Sequence, residues 1–216
     1  ELNFFFYQMH RDTRLSELVG DLVISREDTN DGEIIKQNII KGGILNKISL
    51  IGAGNIGTIL AYNLSRKQIG PITMVDVVEG LAKGKCLDLS QSLPIENLNI
   101  KIEGTTDISA INDSAVIIIT AGIARKPGMS RDDLIETNFS IMNEIGKAIK
   151  KFSPSSFVIC VTNPLDAMVW SLREISGVEP NMITGMAGIL DSARFRFFLS
   201  QELNISVESI QTMVLG

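Results

Sequence analysis

The apolar run Lys47–Ile51 breaks directly into Gly52-Ala53-Gly54-Asn55-Ile56-Gly57, and apolar side chains then recur at helical spacing at Ile56, Ile59, Leu60 and Leu64. Together the three signals specify a strand, a tight turn and a helix. In that context each glycine has its own task. Gly52 permits the turn, Gly54 lets the backbone approach a pyrophosphate, and Gly57 allows the helix to pack closely on the strand. The helix start then offers N–H groups that have no partner within the helix. Asp76 closes the next strand, Ile72–Val75. A carboxylate there accepts hydrogen bonds from ribose hydroxyls and repels a 2′-phosphate. Val77, Val78 and Glu79 follow it, with no arginine close by. NAD is therefore favoured over NADP.

The strand–helix alternation continues. The pattern predicts helices at 79–93, 132–151, 165–175 and 190–203. It predicts strands at 100–103, 115–120, 157–162 and 182–185, and the start of another at Gln211–Leu215. Alternation of this kind argues for an α/β fold, a Rossmann-type doubly wound parallel sheet. We divide the chain into residues 1–45, an N-terminal extension; 46–186, a dinucleotide-binding domain; and 187–216, the start of a second, substrate domain. The extension scatters charged residues without clear periodicity, carries a Thr29-Asn30-Asp31-Gly32 turn signal, and breaks at Gly42-Gly43. One or two short helices are expected in it.

Composition removes several function classes. A net charge of −5 gives no support for nucleic-acid binding or for an anionic membrane surface. Apolar runs such as Ala115–Ile119 are too short to span a bilayer, and Phe4-Phe5-Phe6-Tyr7 lacks the long apolar core of a secretory signal. Cys86 and Cys160 lie far apart and outside any metal-binding spacing, which predicts buried reduced thiols, no metal site and a cytoplasmic setting.

The loop after Ala115–Ile119 carries Arg125 and Arg131, with Pro127-Gly128 between them and Ser130-Arg131-Asp132-Asp133 opening a helix. Two guanidinium forks at the carboxyl edge of a parallel sheet suit a substrate with two carboxylates. A second reading leaves Arg131 supporting its own helix turn through nearby acids. Asn163-Pro164 ends a later strand, where Asn163 offers an amide to a ligand or else caps the helix that follows. Asp191 and Arg194 share a helix face three residues apart, either as a surface ion pair or as two site groups with separate jobs.

Read together, GAGNIG, VDVVEG, GKCLDL, TAGIARKPGMSRDDL, VTNPLDAMV and GMAGILDSARFR closely resemble the malate dehydrogenases of the lactate dehydrogenase-like group. The resemblance covers residues 46–216. It implies that Gly52, Ala53, Gly54, Asn55, Ile56, Gly57 and Asp76 hold NAD, joined by Asn138, Val161, Thr162 and Asn163 towards the nicotinamide. It implies that Arg125 reads the distal carboxylate of malate or oxaloacetate, where a lactate enzyme typically has glutamine. Arg131 would polarise the substrate carbonyl, Arg194 would clamp the carboxylate beside the reacting carbon, and Asn163 would bond the substrate oxygen. Asp191 would orient a catalytic histidine. A homo-oligomer is implied for a full-length enzyme.

One departure stands out. The family's catalytic histidine lies in a Gly-His-Gly-Asp motif after a strand resembling Met213–Gly216, and would be the second residue beyond Gly216. His10 is the only histidine of the chain, and no motif places it in the site. The expectation is an incomplete dehydrogenase with negligible turnover as it stands. The alternatives are a lactate or other 2-hydroxy acid dehydrogenase, and a non-catalytic NAD-binding module.

Overall fold

The computed structural model describes residues 22–29, 32–39, 45–124 and 128–214, with side chains described from residue 45 onward except that of Arg131. Two strands, β1 (Leu22–Thr29) and β2 (Gly32–Ile39), form an antiparallel hairpin whose register pairs Thr29 with Gly32 and Leu22 with Ile39. This corrects the expectation of short helices there. Val23, Ile24, Ile34 and Ile35 are β-branched, no apolar stripe recurs at helical spacing, and the turn signal falls between the strands. Residues 1–21 lie outside the described residues.

The main sheet has six parallel strands: β3 (Ile48–Ile51), β4 (Ile72–Val75), β5 (Ile102–Thr105), β6 (Val116–Ile119), β7 (Phe157–Cys160) and β8 (Ile183–Gly185). They are ordered β5-β4-β3-β6-β7-β8. The chain moves outward from β3 to β5, then returns to build from β6 to β8 on the other side. β3 therefore pairs with β4 on one edge and β6 on the other, Ile51 lying beside both Val75 and Ile119. That reversal opens a crevice beyond the carboxyl ends of β3 and β6, where open α/β sheets bind ligands.

The helices are α1 (Asn55–Lys67), α2 (Leu81–Ser92), α3 (Arg131–Phe152), α4 (Leu165–Ser176) and α5 (Gly188–Leu203). Two core clusters show how they cover the sheet. Leu50, Met74 and Ile118 pack with Ala61 of α1 and Ala82, Cys86 and Leu89 of α2. Ile51, Ile117 and Ile119 pack with Met142, Ile145 and Ile149 of α3 and Met168 and Leu172 of α4. Alternate residues of β3 and β6 thus serve opposite faces, which explains why β6 reads as an unbroken apolar run and why every residue of β3 and β4 is buried, Ser49 and Thr73 included. Cys86 and Cys160 are buried thiols as expected, each pushed up to about 11 by desolvation.

At the amino-terminal edge of the sheet, four buried serines join three elements. The hydroxyls of Ser49 and Ser114 are 2.7 Å apart, as are those of Ser153 and Ser156. Ser114 Oγ also donates to the Ile111 carbonyl, its N–H donates to Ser153 Oγ, and Ser156 Oγ donates to the Ser114 carbonyl. The strand expected at Gln211–Leu215 does not form over its described residues, 211–214. There Thr212 Oγ1 donates to the Ser192 carbonyl and the Val214 N–H to Ser192 Oγ, so α5 supplies the bonding partners that a sheet neighbour would.

Candidate functional site

The glycine turn between β3 and α1 is held by close contacts on two of its three glycines. Gly52 has φ +110°, and a side chain there would meet the Ala121 nitrogen at 2.6 Å. A Cβ at Gly57 would run into the Gly52 carbonyl oxygen, so α1 lies directly on the turn. Gly54 differs: nothing lies within 4 Å of the position its Cβ would take. Gly54 is the N-cap of α1, whose first turn has no side-chain cap and no acidic residue. A cradle that is open at the glycine, with unbonded N–H groups at a helix start, fits the diphosphate of a dinucleotide.

Asp76 stands half-buried at the end of β4. Its Oδ2 accepts from the Ala53 N–H at 2.6 Å and its Oδ1 from the Val78 N–H at 2.9 Å. The carboxylate therefore ties the glycine turn to β4 while keeping lone pairs for further donors. Asn55 and Ile56, at the start of α1, are exposed at the same crevice.

On the other side of the switch point, the loops after β6 and β7 are joined to each other. Thr162 Oγ1 donates to the Ala121 carbonyl at 2.7 Å. Asn138, on α3, accepts at Oδ1 from the Ile123 N–H, and its Nδ2 donates to the carbonyls of Ile123 and Asn163. Asn138 is fully buried. The sequence counted it among the groups that hold the cofactor; in the structure its amide joins the loops after β6 and β7, with both Nδ2 protons given to protein carbonyls. Val161 is half-buried, Thr162 buried and Asn163 exposed. The N-cap of α4 is Pro164 and no side chain caps the helix, so the capping role considered for Asn163 is not taken up.

Arg125 lies outside the described residues. Arg131 is the first residue of α3, and the start of that helix is fixed by a capping box between Ser130 and Asp133. Asp191 and Arg194 sit on α5, their Oδ1 and Nη1 3.4 Å apart and both exposed. In this structure they pair with each other. Among the described residues no cluster of His, Cys, Asp or Glu could hold a metal ion, and no helix is long and apolar enough to cross a membrane.

Residues 46–185 match the NAD binding domain family of lactate/malate dehydrogenases. The chain belongs to the lactate/malate dehydrogenase family. Among solved structures it is similar to the malate dehydrogenase of Picrophilus torridus, at 46% identity and TM-score 0.74 over 77% of this chain and 53% of that one. It is similar to the Cryptosporidium parvum malate dehydrogenase at 43% identity and TM-score 0.76, over 79% of this chain and 55% of that one. It is also similar to the Eimeria maxima lactate dehydrogenase solved with NADH and oxamate, at 40% identity and TM-score 0.74, over 78% of this chain and 52% of that one. The chain thus spans about half the length of these relatives.

For a lactate/malate dehydrogenase domain, the glycine turn, the open cradle at Gly54 and the acid at Asp76 are a fitting seat for NAD. Sequence reasoning missed three groups near that seat. Thr120 Oγ1 donates towards the Gly52 carbonyl at 3.2 Å and so joins β6 to the turn. Thr58 and Lys85 form a further connection behind Gly54. The partners in these bonds are 68 and 27 residues apart, too far for local spacing to show.

Proposed function

We propose that this chain is the nucleotide-binding part, with the beginning of the substrate part, of an NAD-dependent malate dehydrogenase that interconverts (S)-malate and oxaloacetate. What supports the reading is the pair Arg125 and Arg131, which follow β6 in the sequence, Arg131 opening α3. When bound, NAD supplies the hydride acceptor. The work of the chain is to bind and orient. Gly54, Asn55 and Ile56 present backbone N–H groups to the diphosphate, and Asp76 accepts from the ribose. Arg125 takes the distal carboxylate and Arg194 the one beside the reacting carbon. Arg131 stabilises negative charge on the substrate oxygen, and Asn163 bonds that oxygen. Asp191 is left to orient a histidine base, which requires it to part from Arg194.

Residues 46–216 contain no histidine. Without a general base, about 10²–10⁴-fold of rate is forfeited. The 216-residue chain should therefore bind NADH while oxidising malate negligibly. A functional test replaces the matching half of the Picrophilus torridus enzyme with residues 46–214 and compares oxaloacetate with pyruvate as substrates. Preference for oxaloacetate supports the proposal, and preference for pyruvate removes it.

A second reading is a lactate or other 2-hydroxy acid dehydrogenase, favoured by the likeness to the Eimeria maxima enzyme. Arg125 weighs against it, because a guanidinium facing a methyl group would be left unpaired. Arg125→Gln in the chimera should lower oxaloacetate turnover about 100-fold or more by removing a charged partner.

A further inference from the structure

Behind the diphosphate cradle lies a cation that neither the glycine turn nor Asp76 accounts for. Lys85, half-buried on α2, donates from Nζ to Thr58 Oγ1 at 3.0 Å. The Thr58 hydroxyl donates to the Gly54 carbonyl at 2.8 Å and lies 3.4 Å from the Ala53 carbonyl. One hydroxyl thus links an ammonium on α2 to the backbone of the two residues that form the floor of the crevice. Among the described residues no carboxylate lies within ion-pair distance of Lys85, whose ammonium is instead held by the Thr58 hydroxyl. A cation that is half-buried and has no counter-ion among the described residues raises the affinity of its neighbourhood for an anion. The nearest place built to receive one is the open start of α1, whose first turn carries no acid.

We propose that Lys85 is a positioning residue for the dinucleotide diphosphate. It fixes the Thr58 hydroxyl, and through it the Gly54 carbonyl, so that the first N–H groups of α1 are aimed at the anion. It also adds positive charge directly behind that turn. The inference rests on the crevice being the NAD seat.

The test uses the 216-residue chain and fluorescence titration with NADH, with ADP-ribose and adenosine as competitors, at ionic strengths of about 0.05 M and 0.5 M. Four proteins are compared: wild type, Lys85→Met, Lys85→Arg and Thr58→Val. Lys85→Met should weaken NADH and ADP-ribose about 2- to 5-fold at low salt, the range for a charge near a helix terminus. The deficit should shrink at high salt, adenosine should be unaffected, and Lys85→Arg should stay close to wild type. Thr58→Val keeps the side-chain shape but removes the link, and should fall between wild type and Lys85→Met. Equal NADH affinity for wild type and Lys85→Met overturns the inference. So does a loss that is as large for adenosine, because that would mark a general disturbance of the fold. A wild-type chain that binds no NADH overturns the cofactor reading itself, and this inference with it.

Discussion

The two sides of the crevice are built differently. On the nucleotide side, β3, α1 and β4 are locked by backbone contact at Gly52 and Gly57, and by the Asp76 carboxylate, which reaches across to Ala53. Every strand residue there is buried. On the substrate side, α5 has no buried residue, and Ile189, Phe195 and Phe198 on it are half or more exposed. Among the described residues its two candidate site residues meet only each other. The nucleotide seat is thus complete within a continuous stretch of chain, because one βαβ unit supplies turn, helix start and acid. The proposed substrate side draws on residues from separate parts of the chain, Arg125 and Arg131 after β6, Asn163 after β7, and Asp191 and Arg194 on α5.

The contrast can be broken most forcefully at Gly57. Gly57→Val places carbon against the backbone of Gly52, which cannot yield as a flexible side chain would. The expected cost is about 3 kcal/mol or more, seen as a lower denaturation midpoint together with lost NADH binding. Unchanged stability would mean that α1 does not need to sit on the turn.

Asn138→Ala probes the seam between the two sides. It leaves the Ile123 N–H and the Asn163 carbonyl without the amide they share, so a stability loss of about 2–3 kcal/mol is expected from chemical denaturation. Substrate-side function in the chimera should suffer more than NADH affinity. An equal loss of both would erase the distinction drawn here.

Asp76→Asn keeps the shape but removes the charge that receives two backbone N–H groups. Charge-assisted bonds of this kind are worth about 1.5–3 kcal/mol, and the effect should show mainly as weaker NADH binding by titration. Full NADH affinity in this variant would deny the acid its role.

A smaller effect is expected at the start of α3. The Ser130 side-chain and backbone bonds hold the Asp133 carboxyl below its usual range. A depressed carboxyl stabilises the folded form above its unfolded pKa, and that help fades as pH falls through the folded value. The first turn of α3, which carries Arg131, should therefore loosen only in acid, at or below about pH 4. Amide exchange at residues 131–134 followed across pH would detect it, and loosening already at neutral pH would contradict it.

Smallest of all, Arg194→Met should change stability by less than about 0.5 kcal/mol, because the Asp191 pair is exposed. A larger change would show that α5 is held more firmly than its exposure indicates.

The sheet was legible because its central strands are buried on both faces and so spell near-continuous apolar runs such as Val116–Ile119. The nucleotide seat was legible because Gly52, Gly54 and Gly57 are spaced within one turn, and Asp76 ends the very next strand. The hairpin at Leu22–Ile39 was missed because its charges obscure the β-branched residues. The tasks of Asn138 and Thr58 were hidden for another reason. Their partners are brought near only by the fold, Asn163 to Asn138 from 25 residues away and Lys85 to Thr58 from 27.

The four serines at the far edge of the sheet have a consequence in proton direction. Each hydroxyl owns one proton. Ser114 gives its proton to the Ile111 carbonyl, so Ser49 must be the donor between those two. Ser156 gives its proton to the Ser114 carbonyl, so Ser153 must be the donor to Ser156. The network has a single polarity and no freedom to reverse it. Alanine at Ser49 removes one donor and strands nothing, whereas alanine at Ser114 strands the Ser49 proton and leaves the Ile111 oxygen only the long bond from the Ser114 N–H, at 3.3 Å. Two serines 2.7 Å apart are therefore unequal partners, although they are the same residue at the same bond.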